Sequence, residues 1–146
     1  MYRHILVCTD GSEVAQKGID HGLDLAKAIG AKVTIITVME SLPAYIGSDG
    51  GLSAFAYQDY AAVQEKAAER ILANAKQDAD RVGVEAEILP LLNALPAEAI
   101  VETAKTHGCD LIVMSSHGRR GLRRLVLGSV TSEVLTSSPV PVLVAR

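Results

Sequence analysis

A glycine- and arginine-rich segment, residues 115–129, combines the residue types that bind polyphosphates. It contains glycines at 118, 121 and 128 and four of the chain's eight arginines, and it leads into a predicted helix. Glycine lets an anion approach the backbone, and the first turn of a helix presents unpaired N–H groups with a partial positive charge. The hydroxyl of Ser129 adds one more donor at the helix start. The segment therefore predicts a phosphate-binding loop; the alternative is that these residues serve only as turn glycines, a helix cap and solvent-exposed charges.

Other kinds of site chemistry find no support in the sequence. No G-x-x-x-x-G-K-[ST] loop occurs, and no G-x-G-x-x-G follows the first predicted strand. Receiver-type phosphotransfer needs an acceptor Asp after the third strand, where this chain has Leu89-Pro90. The four histidines are scattered, only His117 lies near the loop, and no nucleophile, base and orienting group can be assembled from them. No cluster of acidic residues and histidines predicts a dedicated metal site.

Composition restricts the expected partners and location. A net charge of −3 and an aromatic content of 3% without Trp argue against nucleic-acid and anionic-membrane surfaces. We find no export signal and no apolar run of the ~20 residues that a membrane span needs. The two cysteines, Cys8 and Cys109, are expected to be free and too far apart to bridge. A cytoplasmic protein without nucleic-acid or membrane partners is predicted.

Strand-like and helix-like segments alternate along the chain, which is typical of α/β proteins. Strands are predicted at residues 4–9, 33–38, 84–89, 111–114 and 140–145. Helices are predicted between the Ser12 cap and Gly30 and at residues 59–82, 96–106 and 129–136, with a long loop at 41–56. Right-handed crossovers then give one domain, residues 1–146, with an open, doubly wound, five-stranded parallel sheet of order 3-2-1-4-5 and helices on both faces.

The predicted topology places both a ligand site and an interface. Ligands of such sheets bind beyond the carboxyl ends of the strands, where the strand order reverses, and the phosphate-binding loop leaves one of these ends. The last strand begins between Pro139 and Pro141, which lack N–H donors, so it is expected at a sheet edge. An apolar edge strand invites pairing, and a homodimer through Val140 to Ala145 is therefore predicted.

The chain resembles the universal stress protein family over nearly its whole length. Its opening ILVCTDGSE resembles the family's first strand and Asp turn, and DLIVMSSHGRRGLRRLVLGSVTSEVL resembles the family's ATP-binding signature, G-x-x-G, nine residues, then G-[ST]. Gly118, Gly128 and Ser129 match this spacing. Ser115 stands in place of the first glycine and adds a Cβ and a hydroxyl near the expected path of the ribose and phosphates.

The resemblance implies an ATP-binding stress-response or regulatory protein that is at most a slow ATPase. Mg²⁺ or Mn²⁺ would be held through the phosphates themselves. Two alternatives stay open: a dimeric stress protein that binds no nucleotide and acts through protein partners, and a small adenylating α/β enzyme, for which no H-I-G-H or S-G-G-x-D run is present. The implied contacts with adenine and ribose are Thr9, Asp10, Val38 and Met114, and those around the phosphates are Ser115, Gly118, Arg119, Gly128, Ser129, Val130 and Thr131.

Overall fold

The computed structural model describes residues 1–41, 54–118 and 126–146. These residues form a parallel sheet in the order β3-β2-β1-β4-β5, which confirms the predicted sheet type and strand order. The strands are β1 (His4–Cys8), β2 (Lys32–Met39), β3 (Ala86–Leu92), β4 (Leu111–Ser115) and β5 (Val142–Ala145). The helices are α1 (Glu13–Ile29), α2 (Ala54–Val82), α3 (Pro96–Thr106) and α4 (Ser129–Ser137).

Alternating side chains of the strands build a core on each face of the sheet. Ile5 and Val7 of β1 pack with Leu23 of α1 and Leu72 of α2 on one face. On the other face, Leu6 and its neighbours pack against α3 and α4 through Ile100 and Val134. The prediction of helices on both faces is confirmed. The helices that follow β1 and β4 lie on opposite faces, and the strand order reverses between these two strands.

Two glycines inside α1 bring this helix unusually close to the sheet. A Cβ on Gly22 would lie 2.6 Å from a methyl carbon of Val7, and one on Gly18 would lie 3.3 Å from the backbone nitrogen of Ser115. Neither space admits a larger residue without movement of its neighbours. The start of α1 is thereby held at a fixed distance from the carboxyl end of β4.

The third strand differs from the predicted residues 84–89 because it continues through a proline. The N–H of Val33 donates to the carbonyl of Glu85 at 3.1 Å, and the ladder then places the odd-numbered residues of β3 toward β2. The nitrogen of Pro90 faces the outer edge, so its missing N–H costs no bond to β2. The first described turn of α2 also starts at Ala54 instead of the predicted Asp59, and residues 42–53 of the expected loop lie outside the described residues.

The last strand lies at the other edge, as predicted, although it begins at Val142. The N–H groups of Ile112 and Ser116 donate to the carbonyls of Pro141 and Ala145 at 3.0 and 2.9 Å. The odd-numbered residues of β5 therefore face β4, and Val142 and Val144 direct their N–H and C=O groups outward. Pro141 is turned toward β4, which leaves the outer edge of β5 without a proline.

The amino end of the sheet is closed by polar groups that pair with one another. His4 Nε2 and Thr34 Oγ1, both buried, are hydrogen-bonded at 2.7 Å. The Asp110 carboxylate accepts hydrogen bonds from the N–H groups of Arg3 at 2.9 Å and His4 at 3.1 Å.

Cys8 and Cys109 are both free and buried, as predicted. Burial raises the pKa of the Cys109 thiol to about 11, which keeps it protonated at neutral pH. Among the helices of the described ranges, none has the length and apolarity needed to cross a membrane.

Candidate functional site

The turn after β1 satisfies its own polar groups. Gly11 has a left-handed backbone (φ 78°), and its N–H donates to the Thr9 hydroxyl at 3.1 Å. Asp10 Oδ1 accepts from the N–H of Ser12 at 2.9 Å, and the Ser12 hydroxyl in turn accepts from the N–H of Ala15 at 3.1 Å. Helix α1 therefore starts with a side-chain cap from its own chain.

The two described ends of the glycine-rich segment are tied together beyond β4. The Gly128 N–H donates to the Ser116 carbonyl at 2.8 Å, and the Thr131 hydroxyl donates to the Ser115 carbonyl at 3.0 Å. The Ser115 hydroxyl donates to the carbonyl of His117 at 2.9 Å. The Ser116 hydroxyl lies 3.0 Å from Nδ1 of the same histidine. These bonds fix the start of α4 against the carboxyl end of β4.

Helix α4 begins differently from α1, because its cap position is Gly128, which has no side chain to accept a hydrogen bond. The N–H of Ser132 donates to the Gly128 carbonyl at 3.0 Å and starts the helical ladder. The N–H groups of Ser129, Val130 and Thr131 precede that ladder. Within residues 1–41, 54–118 and 126–146, no acceptor lies within hydrogen-bond distance of these three groups. Ser129 is the first helical residue, so the cap position belongs to Gly128 and not to Ser129.

Gly118 and Gly128, two of the three loop glycines, lie close to neighbouring atoms. A Cβ on Gly118 would lie 2.6 Å from Asp10 Oδ2, so the turn after β1 and the segment after β4 meet at this point. A Cβ on Gly128 would lie 3.1 Å from Cα of His117, so a larger residue fits at the tie between the two ends of the segment only if the neighbouring backbone shifts. We refer to the region beyond the carboxyl ends of β1 and β4, between Asp10 and the start of α4, as the crevice.

The other predicted contact residues differ in how far they are exposed to a ligand. Val38 is half-buried near the carboxyl end of β2, two residues beyond the last β1–β2 pair of Cys8 with Ile36. Met114 and Thr131 are 5% and 2% exposed and belong to the core and to the loop's internal bonds. The Met114 backbone faces β5 in the ladder, so of these two residues only Thr131, through its N–H, has a group left for a ligand. Arg119 lies outside the described residues.

Sequence reasoning missed two residues that shape the crevice. Gly18 sets the distance between α1 and β4, and Ser116 receives the Gly128 N–H. A glycine in the middle of a predicted helix is the available signal for the first, because it usually marks a close packing contact. The second acts through its backbone carbonyl, which side-chain identity does not reveal. In the described ranges, no group of three or more His, Cys, Asp or Glu side chains is arranged to hold a metal ion.

Comparison with known sequences assigns the fold to a family. The model of the "Universal stress protein family" matches residues 1–146. The chain belongs to this family. Universal stress protein YxiE of Bacillus subtilis is 34% identical over 152 residues, and the match covers 100% of both chains. The resemblance to this family, which was based on the Asp turn and the loop spacing, is confirmed.

Solved structures of universal stress proteins have the same architecture. Protein MJ0577 of Methanocaldococcus jannaschii superposes with a TM-score of 0.81 at 31% identity, covering 99% of this chain and 96% of that one. A universal stress protein solved in complex with cAMP superposes with a TM-score of 0.74 at 26% identity, covering 99% and 97%. The second of these universal stress proteins thus contains an adenine nucleotide.

Proposed function

We propose that this universal stress protein binds an adenine nucleotide, ATP in particular, in the crevice between the turn after β1 and the start of α4. The observation that carries the proposal is the uncapped start of α4 at Gly128, where three first-turn N–H groups have no acceptor in the described part of the chain. The family signature spacing from Gly118 to Ser129 supports it, as does the cAMP complex of a similar protein.

Charge decides how the nucleotide is oriented in this proposal. The partial positive charge at the start of α4 attracts the phosphates, whereas the start of α1 is already capped by Ser12. The adenosine part is therefore assigned to the side of Thr9, Asp10, Val38 and the end of β4 at Met114. The phosphates are assigned to Gly118, Arg119, Gly128, Ser129, Val130 and Thr131, and Thr131 would use its N–H because its hydroxyl is bonded to Ser115.

The chemistry of the site favours binding over turnover. The Asp10 side chain already accepts a hydrogen bond from Ser12, and the described residues around the crevice offer no base paired with a nucleophile. We infer that ATP occupancy serves regulation in a stress response and that any hydrolysis is slow. Mg²⁺ or Mn²⁺ would be held by the phosphates, and a cytoplasmic location, where thiols stay reduced, agrees with the two free cysteines.

Titration calorimetry of nucleotide-stripped protein tests this function. ATP with Mg²⁺ should bind at one site per chain, and guanosine triphosphate should bind more weakly because the base end is proposed to read adenine. Mass spectrometry of the ligand released from freshly purified protein identifies the nucleotide carried from the cell. Absence of heat with every adenine nucleotide would favour the alternative of a stress protein that acts only through protein partners.

We also propose a homodimer through the outer edge of β5. Val142 and Val144 direct backbone donors and acceptors outward, and the side chains of 142–144 are only half-buried. A two-fold axis would pair this edge with its own copy in antiparallel fashion.

Val144→Pro tests the dimer, because it removes an outward N–H without breaking a bond to β4. Light scattering should give a dimer for the parent chain and for Val144→Ala, which keeps the N–H, and a monomer for Val144→Pro. A parent chain that is monomeric at tens of micromolar, or a Val144→Pro variant that remains dimeric, would disprove pairing through this edge.

A further inference from the structure

Ser115, at the place where the family signature has its first glycine, makes a hydrogen bond that glycine cannot make. Its side chain is 8% exposed, and its hydroxyl donates to the carbonyl of His117 at 2.9 Å. The Ser115 carbonyl accepts from the buried hydroxyl of Thr131 at 3.0 Å. The Thr131 side chain of α4 therefore holds the Ser115 backbone, and the Ser115 side chain holds the backbone at His117.

This bond determines the direction of the peptide group between His117 and Gly118. The described residues contain no cis peptide bond, and in a trans peptide the C=O and the N–H point in opposite directions. Because the His117 carbonyl is turned to the Ser115 hydroxyl, the Gly118 N–H is turned away from Ser115. Gly118 borders the crevice, where it approaches Asp10, and its N–H has no acceptor among the residues that the structure describes.

We propose that Ser115 is a positioning residue that presents the Gly118 N–H to the phosphates of the nucleotide. The proposal rests on the function proposed above. Glycine at 118 adopts many backbone conformations, so the 117–118 peptide without its hydrogen bond can rotate and turn the His117 carbonyl toward the ligand. A carbonyl oxygen repels an anion, whereas an N–H fixed in advance binds it without an ordering cost.

Because the Gly118 N–H is proposed to meet a phosphate, only the binding of phosphorylated ligands should depend on Ser115. A phosphorylated ligand uses the Gly118 N–H, and a nucleoside does not. The Ser115→Ala variant should therefore bind ATP and ADP about three- to tenfold more weakly, the change expected for one hydrogen bond, and should bind adenosine as the parent does. A residue needed only for folding would change the affinity for all three ligands together.

Ser138→Ala is the matched control, because the Ser138 hydroxyl also donates to a carbonyl two residues ahead, that of Val140, at 2.7 Å. Calorimetry should give parental affinities for ATP and adenosine with this variant. Equal weakening of ATP and adenosine by Ser115→Ala, or parental affinity for ATP, would overturn the proposal.

The amide resonance of Gly118 provides a second readout that needs no ligand. In ¹⁵N spectra of the ligand-free protein it should be a single sharp signal, and Ser115→Ala should broaden or split it while Ser138→Ala leaves it unchanged. If the parent binds no nucleotide, the proposed function fails, but this signal still reports whether Ser115 fixes the peptide. An unchanged Gly118 signal in Ser115→Ala would disprove the positioning role even if ATP binds tightly.

Discussion

The two ends of the sheet differ in whether their backbone N–H groups are hydrogen-bonded. At the amino end, the N–H groups of Arg3 and His4 are paired with the Asp110 carboxylate, and the His4 ring is paired with Thr34. At the carboxyl end, the first turn of α4 has three N–H groups without an acceptor in the described residues. Unpaired donors at an exposed crevice are available to a ligand, whereas paired donors at a closed end can only stabilise the fold.

This difference separates two classes of substitution. Changes at the carboxyl end should alter nucleotide affinity and leave the free energy of unfolding nearly constant. Changes at the amino end should do the reverse. Each of the following experiments measures one or both of these quantities.

The largest effect is expected for Gly128→Val. A Cβ at this position would lie 3.1 Å from Cα of His117 and 3.4 Å from the Ser116 carbonyl oxygen, so a branched side chain must displace the start of α4. ATP affinity should fall at least a hundredfold, about 3 kcal/mol, by titration calorimetry. Parental affinity in a folded Gly128→Val protein would mean that the start of α4 does not bind the phosphates.

Ser129→Ala should have the next largest effect, because it removes a donor proposed to meet a charged phosphate. Affinity for ATP should fall about ten- to a hundredfold, or 1.5 to 3 kcal/mol. Urea unfolding should be unchanged, since Gly128 and not Ser129 occupies the cap position. Ser132→Ala, an exposed serine one turn further along α4, should retain parental affinity; a similar loss there would assign the effect to the helix and not to the site.

Asp110→Ala tests the amino end. Removal of the carboxylate leaves the N–H groups of Arg3 and His4 without their acceptor, and the free energy of unfolding should fall by about 1 to 2 kcal/mol. ATP affinity should stay within twofold of the parent. A marked loss of affinity with unchanged stability would show that the two ends are coupled.

The smallest effect is a pH dependence of stability that originates at His4. Burial and the Lys32 ammonium lower the pKa of His4, against the opposing influence of the His107 carbonyl and the Asp110 carboxylate. The unfolded chain therefore takes up the proton first, and stability should decrease as the pH falls below about 6.5. Urea unfolding at several pH values should show this slope, and His4→Gln should flatten it. An equal slope in that variant would assign the effect to another group.

The sequence predicted the architecture because apolar periodicity and glycine punctuation directly reflect burial and chain reversal. The placement of the ligand site beyond the carboxyl ends of β1 and β4 stays a prediction. The sequence predicted the start of α4 at Ser129 but did not identify Gly128 as the cap, because glycine has no side chain that marks a cap position. It failed again at Pro90, because the direction in which a proline nitrogen points depends on strand register. The hydrogen bond from Ser115 to the His117 carbonyl is a matter of backbone geometry that residue types alone do not specify.

Pro90 has a consequence for the number of chains that can assemble. Edge strands with open ladders on both sides of a sheet would let each chain recruit two others, and such units grow into filaments. Because Pro90 interrupts the outer hydrogen-bonding edge of β3, a strand of another chain pairs poorly there. The outer edge of β5 is then the better place for pairing. In the proposed dimer, the outer edge of β5 in each chain pairs with its copy, so this edge is not open to a third chain.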